Sequence, residues 1–404
     1  MRTTSINSTR VQPFIRHIFI LTLAALLLAP LTALHAADTP VPAQTADQPA
    51  WKDRILNGPI KAFCTDFNWG SGGPNEFAKP GLWADADPAE HVAWYEQLGC
   101  NVIQTFAVSC NGYAWYKGGL VPEQPGLKHD FTTQVVKLAH AKQMLVMGYF
   151  CIGANTRWGQ EHPELSYGIP SAYHILFTDE YLDYLAVAIA DALRKTGMDG
   201  FMIDWVWCPT DAVRKEATGG RWIDAEKKLY EQLMGKSFPG EEKLMPEDKL
   251  AYERKAIDRC WARIHDAANR TNPSCVIWLS CNKVRAPAIA NSPMLKEVDW
   301  MMDEYGTPAA MKAVAPMFGP RTRQLLCSAK HEILSDPAMA AYGIYSFSKP
   351  NPDSLPLPVA TYLSQPIESF KGKDRSIATL ARYFTGKPFE FVAQPDSHNP
   401  DGGK

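Results

Sequence analysis

The feature that most constrains this chain is an eightfold alternation of short apolar, β-rich runs with stretches of helical periodicity. The runs are "IKAFCTDFNW" (60–69), "NVIQTFAV" (101–108), "MLVMGYFCIG" (144–153), "GFMIDWVW" (200–207), "CVIWLSCN" (275–282), "VDWMMDEY" (298–305), "RQLLCSA" (323–329) and "YGIYSFSKP" (342–350). Each is bounded by turn residues or by a helical segment, the pattern expected of buried parallel strands. Between them lie "DPAEHVAWYEQLG", "FTTQVVKLAHAKQ", "TDEYLDYLAVAIADALRKTG" and the long "MPEDKLAYERKAIDRCWARIHDAANR", with shorter helices later and "DRSIATLARYFTG" near the end. Eight strand-helix repeats predict an α/β fold of the (β/α)8 barrel (TIM barrel) type over residues 51–390. A doubly wound open sheet is the alternative, but no GxGxxG or P-loop follows the first strand, so its usual phosphate-binding turn is missing.

The ends of the chain read differently. Arg10, Arg16 and His17 precede "IFILTLAALLLAPLTAL", and the small residues of "LHAAD" close the run, so residues 1–37 read as a secretory signal peptide. An uncleaved anchor is the alternative, although Pro30 interrupts the run. Residues 38–50 read as a disordered spacer and 391–404 as a disordered tail. The expected location is therefore periplasmic or extracellular, with no stable membrane insertion after cleavage. Nine cysteines in an exported chain could form a framework of disulfides, but the number is odd and 404 residues need no staples, so most read as small buried apolar groups.

A formal net charge of -2 with no long basic run argues against nucleic acid as a partner. No CxxC pair and no Cys/His cluster has zinc-site spacing, and no cofactor motif is present, so neither a metal nor a cofactor is expected.

In a (β/α)8 barrel, chemistry sits at the C-terminal ends of the strands, which sorts the polar residues. Asp66 and Asn68 end the first strand, Asp204 the fourth, Asn282 the fifth, Asp303 and Glu304 the sixth, and Lys330 follows the seventh. Asp299 begins the sixth strand and is read as structural. Asp204 stands out because a carboxylate among isoleucine and tryptophans is costly unless it is paired, hydrogen-bonded or retained for a chemical task. The same ends carry many rings, among them Trp69, Tyr113, Tyr149, Trp205 and Trp207, with Asn111 and His174 in the neighbouring loops. Planar apolar faces interleaved with amides and acids suit the alternating CH and OH surfaces of a carbohydrate. Glycoside hydrolysis needs two carboxyl groups, and Asp204 with Asp303 or Glu304 can supply them. Adjacent acids point to opposite faces of a strand, so at most one of the sixth-strand pair can face the site directly.

Three blocks of sequence carry a resemblance. "CNVIQTFAVSCNGYAWYKGGLVPEQPGLKHDFTTQVVKLAHAKQMLVMGYFCIG", the following "HPEL", and "YLDYL" with "MDGFMIDWVW" resemble glycosyl hydrolase barrels related to the α-L-fucosidase family, over roughly residues 60–350. The resemblance implies a retaining α-glycosidase with Asp204 as nucleophile and an acid/base from around the sixth strand, in a chain whose N-terminus already marks it for export. Related chains often carry histidine where this one has Asn68 and Asn111, so specificity for fucose is not carried over. Amides can bond hydroxyls but do not titrate near neutrality. The expected substrate-binding set is Asp66, Asn68, Trp69, Asn111, Tyr113, Tyr149, His174, Trp205, Asn282 and Lys330. Two other functions compete. One is a carbohydrate-binding barrel without catalysis. The other is a metal-dependent hydrolase, which would need paired histidines where the first strand instead ends "CTDFNW".

Overall fold

The computed structural model describes residues 48–58, 60–64, 67–68, 77–303, 313–327 and 344–347, with the backbone alone at 303, 326, 327 and 344–347. The signal peptide, residues 38–47 of the spacer, the last helix and the tail expected from the sequence lie outside these residues, and so do Asp66, Trp69, Glu304 and Lys330; at the end of the expected spacer, Ala50 instead opens a helix. Among the described residues no helix is long and apolar enough to cross a membrane.

In chain order the elements are α1 (Ala50–Asn57), β1 (Lys61–Cys64), α2 (Pro88–Leu98), β2 (Val102–Val108), α3 (Phe131–Ala141), β3 (Leu145–Cys151), α4 (Thr156–Glu161), β4 (Ser166–Ile169), β5 (Ala172–Ile175) and α5 (Asp179–Thr196). They continue with β6 (Gly200–Asp204), α6 (Asp211–Thr218), α7 (Asp224–Met234), α8 (Pro246–Thr271), β7 (Val276–Ser280), α9 (Met294–Glu297), β8 (Trp300–Asp303), β9 (Arg323–Cys327) and β10 (Ile344–Phe347). Strands β1, β2, β3, β6, β7, β8, β9 and β10 pair in that order, all parallel, and β10 closes back on β1. The barrel is closed, so the open-sheet alternative is excluded. All eight predicted runs contain a barrel strand, each strand shorter than its run by one to six residues.

Local chemistry explains where the elements stop and start. The Asp87 carboxylate accepts the amides of Ala89 and Glu90 at 2.7 and 3.0 Å, and Pro88 occupies the first helical turn, a standard start for α2. Thr178 caps α5, and Gly197 ends it in the left-handed region at φ 68°. Gly200 opens β6 because a Cβ there would stand 2.1 Å from the Val276 carbonyl of β7.

The bottom rim is tied by two aspartates. Asp199, just before β6, accepts the Val146 amide of β3 at 2.8 Å and bonds His140 at 2.8 Å, and Lys52 of α1 pairs with its other oxygen. Asp299, just before β8, accepts the Ile277 amide of β7 at 2.9 Å. Its reading as structural is borne out by that bond.

Two insertions were not foreseen. Strands β4 and β5 form an antiparallel hairpin after α4, and α6 and α7 lie between β6 and α8, where the sequence pattern marks no helix. These pieces share a second apolar cluster that includes Tyr167, Leu176, Val213, Trp222, Tyr230 and Tyr252. At its centre Arg214 and Glu226, both almost fully buried, form a two-pronged ion pair at 2.6 and 3.0 Å, and Tyr167 donates to the same carboxylate at 2.5 Å. A buried pair of this kind is stable only because each remaining lone pair finds a donor.

Candidate active site

Asp204 is the last residue of β6, directly beside Cys151 at the end of β3 in the parallel register. Its Oδ2 accepts the Tyr149 hydroxyl at 3.2 Å and its Oδ1 accepts the Trp205 amide at 2.6 Å. Both donors are neutral hydrogen-bonding groups that favour the ionised carboxylate. Tyr149 is itself fixed: its ring stacks on Phe106 of β2 with centroids 4.4 Å apart, and its hydroxyl lies 3.5 Å from the Cys110 sulfur. Burial, with Cys151 alongside, pushes the Cys110 thiol well above its usual range, so this sulfur is a neutral neighbour and not a nucleophile.

Immediately after the acid the backbone turns sharply. Trp205 has φ 58°, in the left-handed region that bulky side chains avoid. The conformation is held from two sides, by the bond to Asp204 and by Gly153, where a Cβ would meet the Trp205 carbonyl at 2.4 Å and the Trp207 carbonyl at 3.1 Å. An outlier of this kind costs on the order of 1–3 kcal/mol and persists where surrounding structure enforces it. Its effect is to lay the indole out as part of an aromatic step. Trp205 stacks on Trp207 (5.7 Å, 23°) and Phe77 (6.1 Å, 13°), and the His174 ring lies 5.4 Å away. Burial, with Lys283 nearby, lowers the His174 pKa to about 4, so the imidazole is neutral at physiological pH. Lys283, three residues beyond β7, sets its ammonium 4.2 Å from the centre of the Trp207 ring.

The expected site residues therefore separate into groups. Asp204, Tyr149, Trp205 and His174 come together. Asn282 is exposed at the end of β7, and Tyr113 is half-buried in the loop after β2. Asp303 closes β8 beside Leu326 of β9, with its backbone alone described. Asn68 and Asn111 are buried, and their amides bind the loops. The Asn68 side-chain oxygen accepts the Cys110 amide at 3.0 Å. The Asn111 oxygen accepts Ser109 Oγ at 2.6 Å and the Tyr113 amide at 3.0 Å, while its nitrogen donates to Gln124 at 3.0 Å. Both brace the β2 loop that carries Cys110 toward Tyr149. Sequence reasoning passed over Phe77, Gly153 and Lys283. Lys283 was within reach, since it follows Asn282 at a strand end; Phe77 sits in a loop with no periodic signal.

No family model and no curated protein matches this chain. Among solved structures it is similar to the α-L-fucosidase isoenzyme 2 of Paenibacillus thiaminolyticus at 14% identity and TM-score 0.51, over 76% of this chain and 48% of that one. The chain thus spans about half the length of that protein. It also aligns at 12% identity with the PgaB glycoside hydrolase domain of Bordetella bronchiseptica (TM-score 0.46, 82% of this chain and 99% of that one). A debranching enzyme of Nostoc punctiforme aligns at 12% identity as well (TM-score 0.44, 82% and 81%). At these identities the likeness is one of fold, and the first of them agrees with a (β/α)8 barrel.

Proposed function

We propose that this protein is a glycoside hydrolase acting at the C-terminal mouth of its barrel. The observation that carries the reading is Asp204: a carboxylate at the end of barrel strand β6, with the Tyr149 hydroxyl and the Trp205 amide among its donors, followed by an enforced aromatic step. Asp204 would attack an anomeric carbon, or stabilise the positive charge that develops there, while the sugar ring stacks on Trp205. Tyr149 positions the carboxylate and Trp205 binds the substrate.

The second carboxyl is assigned to the end of β8. In the parallel register Met202 lies beside Trp278, Trp278 beside Trp300, and Ser280 beside Met302, so these positions share a face with Asp204 by two-residue alternation. By sequence spacing the next step of that rhythm falls on Glu304, which is the general acid/base of this proposal, with Asp303 as the alternative. The Paenibacillus neighbour is an α-L-fucosidase, which supports an α-glycosidic substrate; a retaining mode is the further part of this proposal. Export, cleavage of residues 1–37 and a carbohydrate partner complete the proposal.

The test is a screen of aryl α- and β-glycosides with product stereochemistry followed by NMR. Retention with an α-glycoside supports the full reading, and inversion replaces Asp204 as nucleophile with Asp204 as base. In the Glu304→Gln variant, substrates with poor leaving groups should slow far more than activated aryl glycosides. Sugar binding without turnover of any glycoside would leave a carbohydrate-binding barrel.

A further inference from the structure

We infer that Lys283 makes this mouth selective for a sugar carrying an anionic group, a carboxylate or a sulfate. The inference rests on the glycosidase reading above and specifies its substrate class.

Four observations converge on Lys283. It belongs to the loop after β7, and Trp207 belongs to the loop after the adjacent strand β6, so the contact joins two neighbouring strand ends at the mouth. The ammonium sits over the Trp207 ring at 4.2 Å, a contact that orders a long flexible side chain and holds its charge at a fixed place. The field of that charge is felt across the aromatic step, since Lys283 acts with burial to keep His174 neutral. Among the described residues no carboxylate lies within ion-pair distance of it, whereas Arg214, Arg157, Arg259 and Lys249 are each matched by an acid.

The sequence of groups along the mouth gives the geometry. Asp204 is followed by Trp205, Trp205 stacks on Trp207 at 5.7 Å, and Lys283 stands over Trp207. A pyranose laid on Trp205 with its anomeric carbon at Asp204 would direct one substituent along the step toward the ammonium. A hydroxyl there gains an ordinary hydrogen bond. A carboxylate or sulfate gains a charge-assisted one, in a place partly shielded from water by two indoles. The same cation disfavours a positively charged amino sugar at this position.

The experiment uses the whole protein and titrates it with matched pairs: a uronic-acid oligosaccharide against its neutral hexose parent, and a sulfated monosaccharide against its unsulfated form. Calorimetry gives affinity, and tryptophan fluorescence reports contact with the indoles. At least one anionic member should bind about tenfold tighter than its neutral partner, the gain expected of one charged hydrogen bond. Which pair shows it distinguishes carboxylate from sulfate. In Lys283→Gln that ratio should fall to near one, and in Lys283→Arg it should persist; circular dichroism checks that both variants are folded. Equal affinity for both members of every pair, or an unchanged ratio in Lys283→Gln, overturns the inference. Neutral glycosides that bind and turn over while every anionic partner fails would refute the role of Lys283 and leave the glycosidase intact. Failure of all sugars to bind would remove both readings together.

Discussion

Strand β6 begins next to one aspartate and ends on another, and the two rims treat them in opposite ways. Asp199, 7% exposed at the bottom, is enclosed by Lys52, His140 and the Val146 amide. Burial alone would raise its pKa, but His140 and Lys52 outweigh burial and hold the carboxyl below its usual range. Asp204, five residues later and half-buried at the top, is met by a tyrosine hydroxyl and a backbone amide. At the bottom, charge and hydrogen bonds are used to tie α1, β3 and β6 together. At the top, hydrogen bonds aim a carboxylate next to a set of rings. Asp299 repeats the bottom pattern with a backbone amide as partner, though there burial wins and raises its pKa. A barrel acid is therefore read by which end of the strand it occupies and by whether its partners lock it or aim it.

The largest stability effect should come from breaking the bottom. Asp199→Ala leaves the Val146 amide, Lys52 and His140 without their shared partner, and should cost about 3 kcal/mol in denaturant unfolding while any turnover by the surviving folded fraction stays near normal. Gly153→Ala strikes the top instead. The added methyl collides with the Trp205 carbonyl, which should cost about 2 kcal/mol and also weaken sugar binding, because the strained turn that presents the indole must move. Tyr149→Phe removes a single donor from Asp204. Melting should change little, turnover should drop by about tenfold, and the acid-side limb of the rate profile should shift upward, since the ionised carboxylate has lost a stabilising bond.

The smallest effect concerns pH. His91 is fully buried against Phe67, Tyr95 and Phe131, and burial lowers its pKa to about 3; His174 is lowered to about 4. Both are neutral in the folded protein and take up a proton on unfolding below the usual histidine pKa of about 6.5. Their contribution to stability is therefore complete above that value and is lost as pH falls toward 4 and then 3. Between pH 7 and pH 6 the loss should be under about 1 kcal/mol for each, visible in calorimetric melts and absent from the His91→Phe variant's share.

Much of this was legible in the sequence because periodicity and strand-end position are local signals. The eight apolar runs located the barrel strands, and "GFMID" placed Asp204 at a strand end. The left-handed Trp205 was not legible, since its conformation depends on Gly153, which is fifty-two residues earlier and meets it only through the pairing of β3 with β6. The bonds by which Asn68 and Asn111 brace the β2 loop were hidden for a related reason. A polar residue near a strand end can face the mouth or brace the loop, and only the partners decide. The buried Arg214–Glu226 pair was hidden too, because each residue looks like an ordinary surface charge on an amphipathic helix until the hairpin of β4 and β5 covers it.

The most direct measurement is Asp204→Asn, followed by melting and by turnover of whichever glycoside the wild type hydrolyses. A carboxylate aimed at chemistry predicts a melting temperature within a few degrees of wild type, retained sugar binding, and a loss of turnover on the order of a thousandfold or more. An Asp204→Asn protein that fails to fold, or that hydrolyses the same glycoside at the wild-type rate, would show that the top acid is structural like Asp199 and would contradict the assignment.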